Sequence, residues 1–153
     1  MDISIILSVL AFIMSFVTWV VHAFQHSTRL SIKIIDYRVW PGDIVQLFVY
    51  IQNNSVAPIT ISGLSILESG RKFPCELVSK KIRSENGIVT RSTPNFPLNF
   101  SSSQGSMYFL EFVHCPGIAL APNKTVAFEI YTNRGCLKKF SVPGQQGRLF
   151  RLR

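Results

Sequence analysis

Cysteine, histidine and the acidic side chains are the groups in this 153-residue chain able to act as nucleophile, base or metal ligand, and their spacing decides what they can do. His114 and Cys115 are sequence neighbours in what reads as a strand end. Their side chains then point to opposite faces and do not form a nucleophile–base pair with each other. Cys75, Cys115 and Cys136 lack the close Cys-x-x-Cys pair of a zinc site, so buried, inert thiols are expected. The acids are isolated singles. The chain has no Gly-rich phosphate loop, no Gly-x-Ser-x-Gly elbow and no His-Glu-x-x-His. Asn53, Asn99 and Asn123 each open an Asn-x-Ser/Thr triplet, which matters only for a lumenal eukaryotic domain. Neither an enzyme, a metal nor a cofactor is therefore expected.

Place is more legible than chemistry. From Ile3 to Val21 no residue is charged. About 20 apolar residues in an α-helix cover the roughly 30 Å hydrocarbon core of a bilayer, so this stretch predicts a transmembrane anchor over residues 1–24, with a linker over 25–29. A cleaved secretory signal is the competitor, because Val21-His22-Ala23 has the small-residue spacing of a cleavage site. The chain begins Met1-Asp2-Ile3 with no basic residue before the apolar run, which favours a retained anchor. Arg29, Lys33 and Arg38 follow the span, so the positive-inside rule places the following domain in the cytoplasm and the N-terminus outside. An odd number of widely spaced cysteines agrees with a reducing compartment, the extracytoplasmic placement being the alternative.

Within the span Ser4, Ser8, Ala11, Ser15 and Thr18 recur at steps of three and four, making one helical stripe. Small residues let helix backbones approach closely in lipid, so the stripe predicts a packing face for a partner helix or a second copy. The competing reading is that the hydroxyls bond carbonyls of their own helix. Trp19, His22 and Arg29 fall where the membrane–water interface is expected.

After the span the hydrophobic period is two. Val45, Leu47, Val49 and Ile51 alternate with Gln46, Phe48, Tyr50 and Gln52, and Val126, Phe128 and Ile130 alternate with Ala127, Glu129 and Tyr131. Strands are predicted over 30–40, 44–52, 59–67, 72–78, 107–114, 125–132 and 136–142, with weaker candidates at 88–90 and 96–100. The phase changes at Ile34-Ile35, which predicts a bulge. Pro41-Gly42-Asp43, Asn53-Asn54-Ser55, Ser69-Gly70, Glu85-Asn86-Gly87, Pro116-Gly117 and Asn133-Arg134-Gly135 supply turns between these runs. About seven short strands of this kind predict an all-β, immunoglobulin-like β-sandwich over residues 30–145. The Cys…Trp…Cys signature of antibody domains is absent, so the label concerns architecture only. Gly135 suits the left-handed position of a three-residue hairpin loop.

An N-terminal single span, an Asn-Asn-Ser turn before Pro58-Ile59-Thr60-Ile61, a strand Met107-Tyr108-Phe109-Leu110-Glu111-Phe112 and a hairpin Phe128-Glu129-Ile130-Tyr131-Thr132-Asn133-Arg134-Gly135 can be taken together. The combination resembles small, uncharacterised bacterial and prophage single-span membrane proteins. The resemblance implies a β-sandwich carried on an anchor and brings no catalytic residues.

Charge adds the last element. Sixteen Lys and Arg against eight Asp and Glu give +8. No acid follows Glu129, whereas Arg134, Lys138, Lys139, Arg148, Arg151 and Arg153 do, so a basic patch with a tail over 146–153 is expected. Beside an anionic leaflet each basic residue gains about 1 kcal/mol. The alternation of basic and apolar residues from Gly147 to Arg153 suits lipid contact or strand addition to a partner. No helix-turn-helix, RNP-like or zinc-finger pattern points to nucleic acid. The expected function is a membrane-anchored, non-enzymatic binding or assembly module; the alternative is a phage- or toxin-like membrane-active protein whose span self-associates.

Overall fold

Alternation of apolar and polar residues at period two leaves a strand with one face to bury, and two such sheets can bury their faces against each other. The computed structural model of the chain describes residues 3–85, 88–118 and 120–146. A helix α1 (Ile3–His26) precedes the strands β1 (Leu30–Trp40), β2 (Ile44–Asn53), β3 (Ile59–Glu68), β4 (Arg71–Pro74), β5 (Lys81–Glu85), β6 (Ile88–Ser92), β7 (Leu98–Phe100), β8 (Gly105–Phe112), β9 (Val126–Thr132), β10 (Gly135–Ser141) and β11 (Gln145–Gln146). One sheet has the order β11-β1-β2-β8. The other runs β10-β9-β3, with β4 and β7 sharing the far side of β3. A separate hairpin joins β5 to β6. Pairing is antiparallel throughout except between β1 and β11.

The core lies between the two sheets. Val45, Leu47, Val49 and Ile51 of β2 are fully buried with Leu110 and Phe112 of β8, facing Ile61, Ile66, Phe128 and Ile130 of the second sheet. Two bulges keep the alternation pointing inward. In β1 the register shifts between Ile34 and Asp36, so Leu30, Ile32 and Ile34 face the core before the bulge and Tyr37 after it. In β3 it shifts between Ile61 and Gly63, and the buried set passes from Ile59 and Ile61 to Leu64 and Ile66. The first bulge falls where the sequence pattern changes phase; the second was not anticipated.

A pair of open sheets exposes unpaired edges, and here both sides are crossed by chain that changes sheet. Beyond β4, the Cys75 N–H donates to the Leu64 carbonyl of the second sheet at 2.8 Å, and the Glu76 N–H donates to the Glu111 carbonyl of the first at 2.8 Å. On the opposite side β10 leads through Pro143 and Gly144 into β11, which pairs with β1 at Asp36 and Tyr37. The buried Ile34 N–H at the β1 bulge donates to Ser141 Oγ at 3.0 Å. Gly144 passes so close to β1 that a Cβ there would collide with the Ile35 carbonyl oxygen.

Several expectations are corrected in detail. Among the described residues there are eleven strands rather than about seven, several very short, and β5 and β11 were not foreseen. The strand expected over 72–78 ends at Pro74 because its chain leaves one sheet for the other. The strand expected to reach His114 ends at Phe112, and His114 has φ 55°, so it lies in a loop instead of at a strand end. The last hairpin has the two-residue loop Asn133-Arg134, with Gly135 (φ 109°) already paired to Thr132. Helix α1 continues two residues past the expected boundary, leaving Ser27, Thr28 and Arg29 before β1.

Because the Gly144 contact is with backbone, which cannot rotate away, Gly144→Ala is expected to destabilise the domain by about 1–3 kcal/mol. Gly63→Ala, whose Cβ would meet only Tyr131 and Leu77 side chains at 3.7 and 3.8 Å, should be close to neutral. Denaturant midpoints of the two variants make the comparison; equal midpoints would mean the β10–β11 crossing is looser than described.

Candidate functional site

Helix α1 carries no charge over the window Ile3–Ala23, which is long and apolar enough to cross a membrane, and the rest of the molecule buries none of it. Ile3, Phe12, Met14 and Trp19 all stand open. The stripe residues Ser4, Ser8, Ala11, Ser15 and Thr18 are exposed too. Ser8 Oγ donates to the Ser4 carbonyl and Thr18 Oγ1 to the Met14 carbonyl, each at 2.8 Å. These two hydroxyls have acceptors within α1. His22 and Arg29 are exposed as well, His22 in the last turns of the helix and Arg29 directly before β1.

Strand direction assigns the rest of the domain to two ends. β1 leaves the helix and β2 returns, so Asn53 comes back beside Arg29; β3 departs and β9 returns, so the Asn133-Arg134 turn lies at that same end. The fully buried Asn53 organises it. Its N–H donates to the Gln104 carbonyl at 2.8 Å, its Nδ2 to the Ala57 and Ser101 carbonyls at 3.0 Å each, and its Oδ1 accepts the Ser55 N–H at 2.9 Å. Loop 54–58 in turn holds the chain leaving the helix. The Asn54 N–H donates to the Arg29 carbonyl at 2.6 Å, and the Arg29 N–H donates to Ser55 Oγ at 2.7 Å. Asn133 adds a reciprocal pair, its N–H to the Thr60 carbonyl at 3.0 Å and its Oδ1 from the Thr60 N–H at 3.1 Å.

The outer faces of the sheets carry polar ladders that sequence reading missed. On the first sheet, Arg38, Gln46 and Glu111 are in register across β1, β2 and β8. The Arg38 guanidinium lies 3.5 Å from the Trp40 ring centroid, Trp40 Nε1 donates to Gln46 Oε1, and Gln46 Nε2 donates to Glu111 Oε2, both at 2.8 Å. Lys80 joins Glu111 to Glu76. Phe48 and Phe109 stack at 4.4 Å on the same face. On the second sheet Glu129 faces outward yet is only 6% exposed, because Lys72 Nζ approaches it to 2.6 Å and Tyr131 Oη donates to it at 2.7 Å. Lys72 first, and Tyr131 second, hold the Glu129 carboxyl below its ordinary pKa; the carboxylate raises those of Lys72 and Tyr131 in return.

The cysteines offer no activated thiolate. Burial pushes the Cys75 thiol up to about 12 and the Cys115 thiol up to about 11. Cys136 is exposed, contrary to the expectation of burial, and desolvation and the nearby Glu129 raise its thiol as well. Among the described residues no group of three or more His, Cys, Asp or Glu is placed to hold a metal.

Arg134 lies in the helix-proximal turn, Lys138 is opposite Glu129, and Lys139, next along β10, points to the other side of the strand. Arg148, Arg151 and Arg153 lie outside the described residues. The last described strand, β11, runs parallel to β1 and so heads away from α1.

The Glu129 cluster makes pH the test of its contribution. A carboxyl whose pKa is lowered by folding adds stability above its unfolded pKa, near 4.3, and loses it as pH falls through the lower folded value. Lys72, with a raised pKa, adds stability below its ordinary value of 10.5 and loses it as pH rises through the folded one. Glu129→Gln should therefore flatten both the acid and the alkaline fall in the denaturation midpoint. Profiles parallel to the parent's at both extremes would show that the cluster contributes nothing. No protein-family model matches this chain, and no curated protein matches it.

Proposed function

We propose that the chain is a single-pass membrane protein in which α1 is retained as the anchor and holds a non-enzymatic, immunoglobulin-like β-sandwich at the cytoplasmic face, where it binds a protein partner. The supporting observation is that α1 is predominantly apolar, carries no Asp, Glu, Lys or Arg from Ile3 to Ala23, and is not covered by the β domain. An apolar helix of this length belongs in a protein core or in lipid, and this core is already filled by strands. Arg29, Lys33 and Arg38, directly after the helix, favour the cytoplasmic side for the domain. The resemblance to small bacterial and prophage single-span proteins belongs to the same proposal.

For the partner, strand β10 is the best-suited surface. It ends its sheet in the strand order, and Phe140 is 68% exposed, with Val142 exposed just beyond it. Lys138 lies on the same face as Phe140. A sheet edge with lysine resists pairing with its own copies while remaining open to an added strand of suitable charge.

Cys136 provides the test, because its exposure permits labelling without unfolding. In intact cells an impermeant maleimide should leave it unmodified, and labelling should appear once the membrane is opened; the protein should resist alkaline extraction. Labelling in intact cells would reverse the orientation, and a mature chain beginning at Phe24 would replace the anchor by a signal. Phe140→Glu should release a co-purifying partner while leaving membrane integration unchanged.

A further inference from the structure

The end of the domain next to α1 differs in charge from the opposite end. Its loops, residues 27–29, 54–58, 101–104 and 133–134, contain Arg29 and Arg134 and neither Asp nor Glu. The opposite end carries both signs: Asp43 and Glu68 lie there, with Arg71 in register with Glu68 and Lys124 paired to it. Val56 is 72% exposed in loop 54–58, the loop whose Asn54 and Ser55 hold the Arg29 backbone. Three residues separate His26 from β1, and an extended chain of that length reaches at most about 11 Å. The tether is thus short, and its last residue is bonded to the loop that carries Val56. Ser102 Oγ, donating to the Ser55 carbonyl at 3.0 Å, ties the 101–104 turn to this loop as well.

We propose that this loop end is a bilayer-docking surface. Val56 enters the headgroup region of the leaflet from which α1 emerges, while Arg29 and Arg134 meet lipid phosphates. The domain then stands in one orientation on the membrane instead of swinging on its tether. A lone exposed valine is ordinary on a soluble surface. Here its place is set by the tether, its neighbours carry only positive charge, and the loop that bears it is braced by buried hydrogen bonds, so docking orders nothing new. The inference rests on α1 spanning a bilayer.

The test uses the full chain in liposomes of phosphatidylcholine and phosphatidylglycerol, with Cys136→Ser to remove the exposed thiol. Nitroxide labels are placed at Val56→Cys, at Val21→Cys within the helix and at Asn123→Cys in the far turn. Collision with oxygen, which concentrates in lipid, is compared with collision with a water-soluble nickel chelate. The Val56 label should show an oxygen-to-nickel ratio several-fold above that of the Asn123 label, and Arg29→Gln with Arg134→Gln should lower it. A Val56 label as open to nickel as the Asn123 label would overturn docking, and one shielded from both reagents would assign the surface to a protein. An aqueous Val21 label would instead refute the span on which the inference rests.

Discussion

The apolar surface of α1 is the constraint on which the rest of this molecule depends. About 20 residues of uncharged helix cannot remain in water at equilibrium without a cover, and the available covers are a protein core or lipid. The strands leave no room in the first. Val45, Leu47, Val49 and Ile51 face Ile61, Ile66, Phe128 and Ile130 across a closed interior to which α1 contributes nothing. Helix and domain are therefore separable in their energetics, and they are joined through a few polar contacts at Arg29.

Inside the domain the governing problem is the sheet edge. Two sheets packed face to face leave four edges, and each side of this molecule answers with a segment that starts on one sheet and ends on the other. Residues 71–76 do so beside β8, where hydrogen bonds from Cys75 and Glu76 reach different sheets. Residues 135–146 do so beside β1, where Ser141 meets the bulge at Ile34 and Gly144 allows the backbone to pass close to Ile35. The bulge thus serves twice: it resets the inward face of β1 and opens an N–H for Ser141. Asn53 has a comparable place at the helix-proximal end, where its fully used amide joins two loops. Such satisfied polar hubs fix one arrangement of loops, since each alternative leaves a buried group unpaired.

Much of this was legible in the sequence where the information is local. Alternation over 44–52 and 126–130 marked strands with one buried face, and the phase change at Ile34-Ile35 marked a bulge, because side-chain period is a property of neighbouring residues. The strands that escaped notice lack that signal: Lys81-Ile82-Arg83-Ser84-Glu85 has one apolar residue, and Gln145-Gln146 has none. Glu129 reads as a solvent-facing acid, yet its burial depends on Tyr131, its same-face neighbour two residues on, and on Lys72, which only strand pairing brings to it. Of the candidate functional residues, the helix and its stripe were legible as composition. The charge pattern of the loop end was not, since it is assembled from four separated segments. Lys138 and Lys139, adjacent in sequence, point to opposite sides of β10.

The central claim is that the β domain completes its core without α1. Residues 27–153, produced without the helix, test it most directly when their cooperative unfolding by denaturant is followed by circular dichroism and compared with that of the full chain in detergent. The account predicts a soluble, β-rich domain that unfolds in one transition at the same midpoint. A truncated domain that is unfolded, or that unfolds without cooperativity, would mean that α1 supplies part of the core and would contradict the separation of helix and domain.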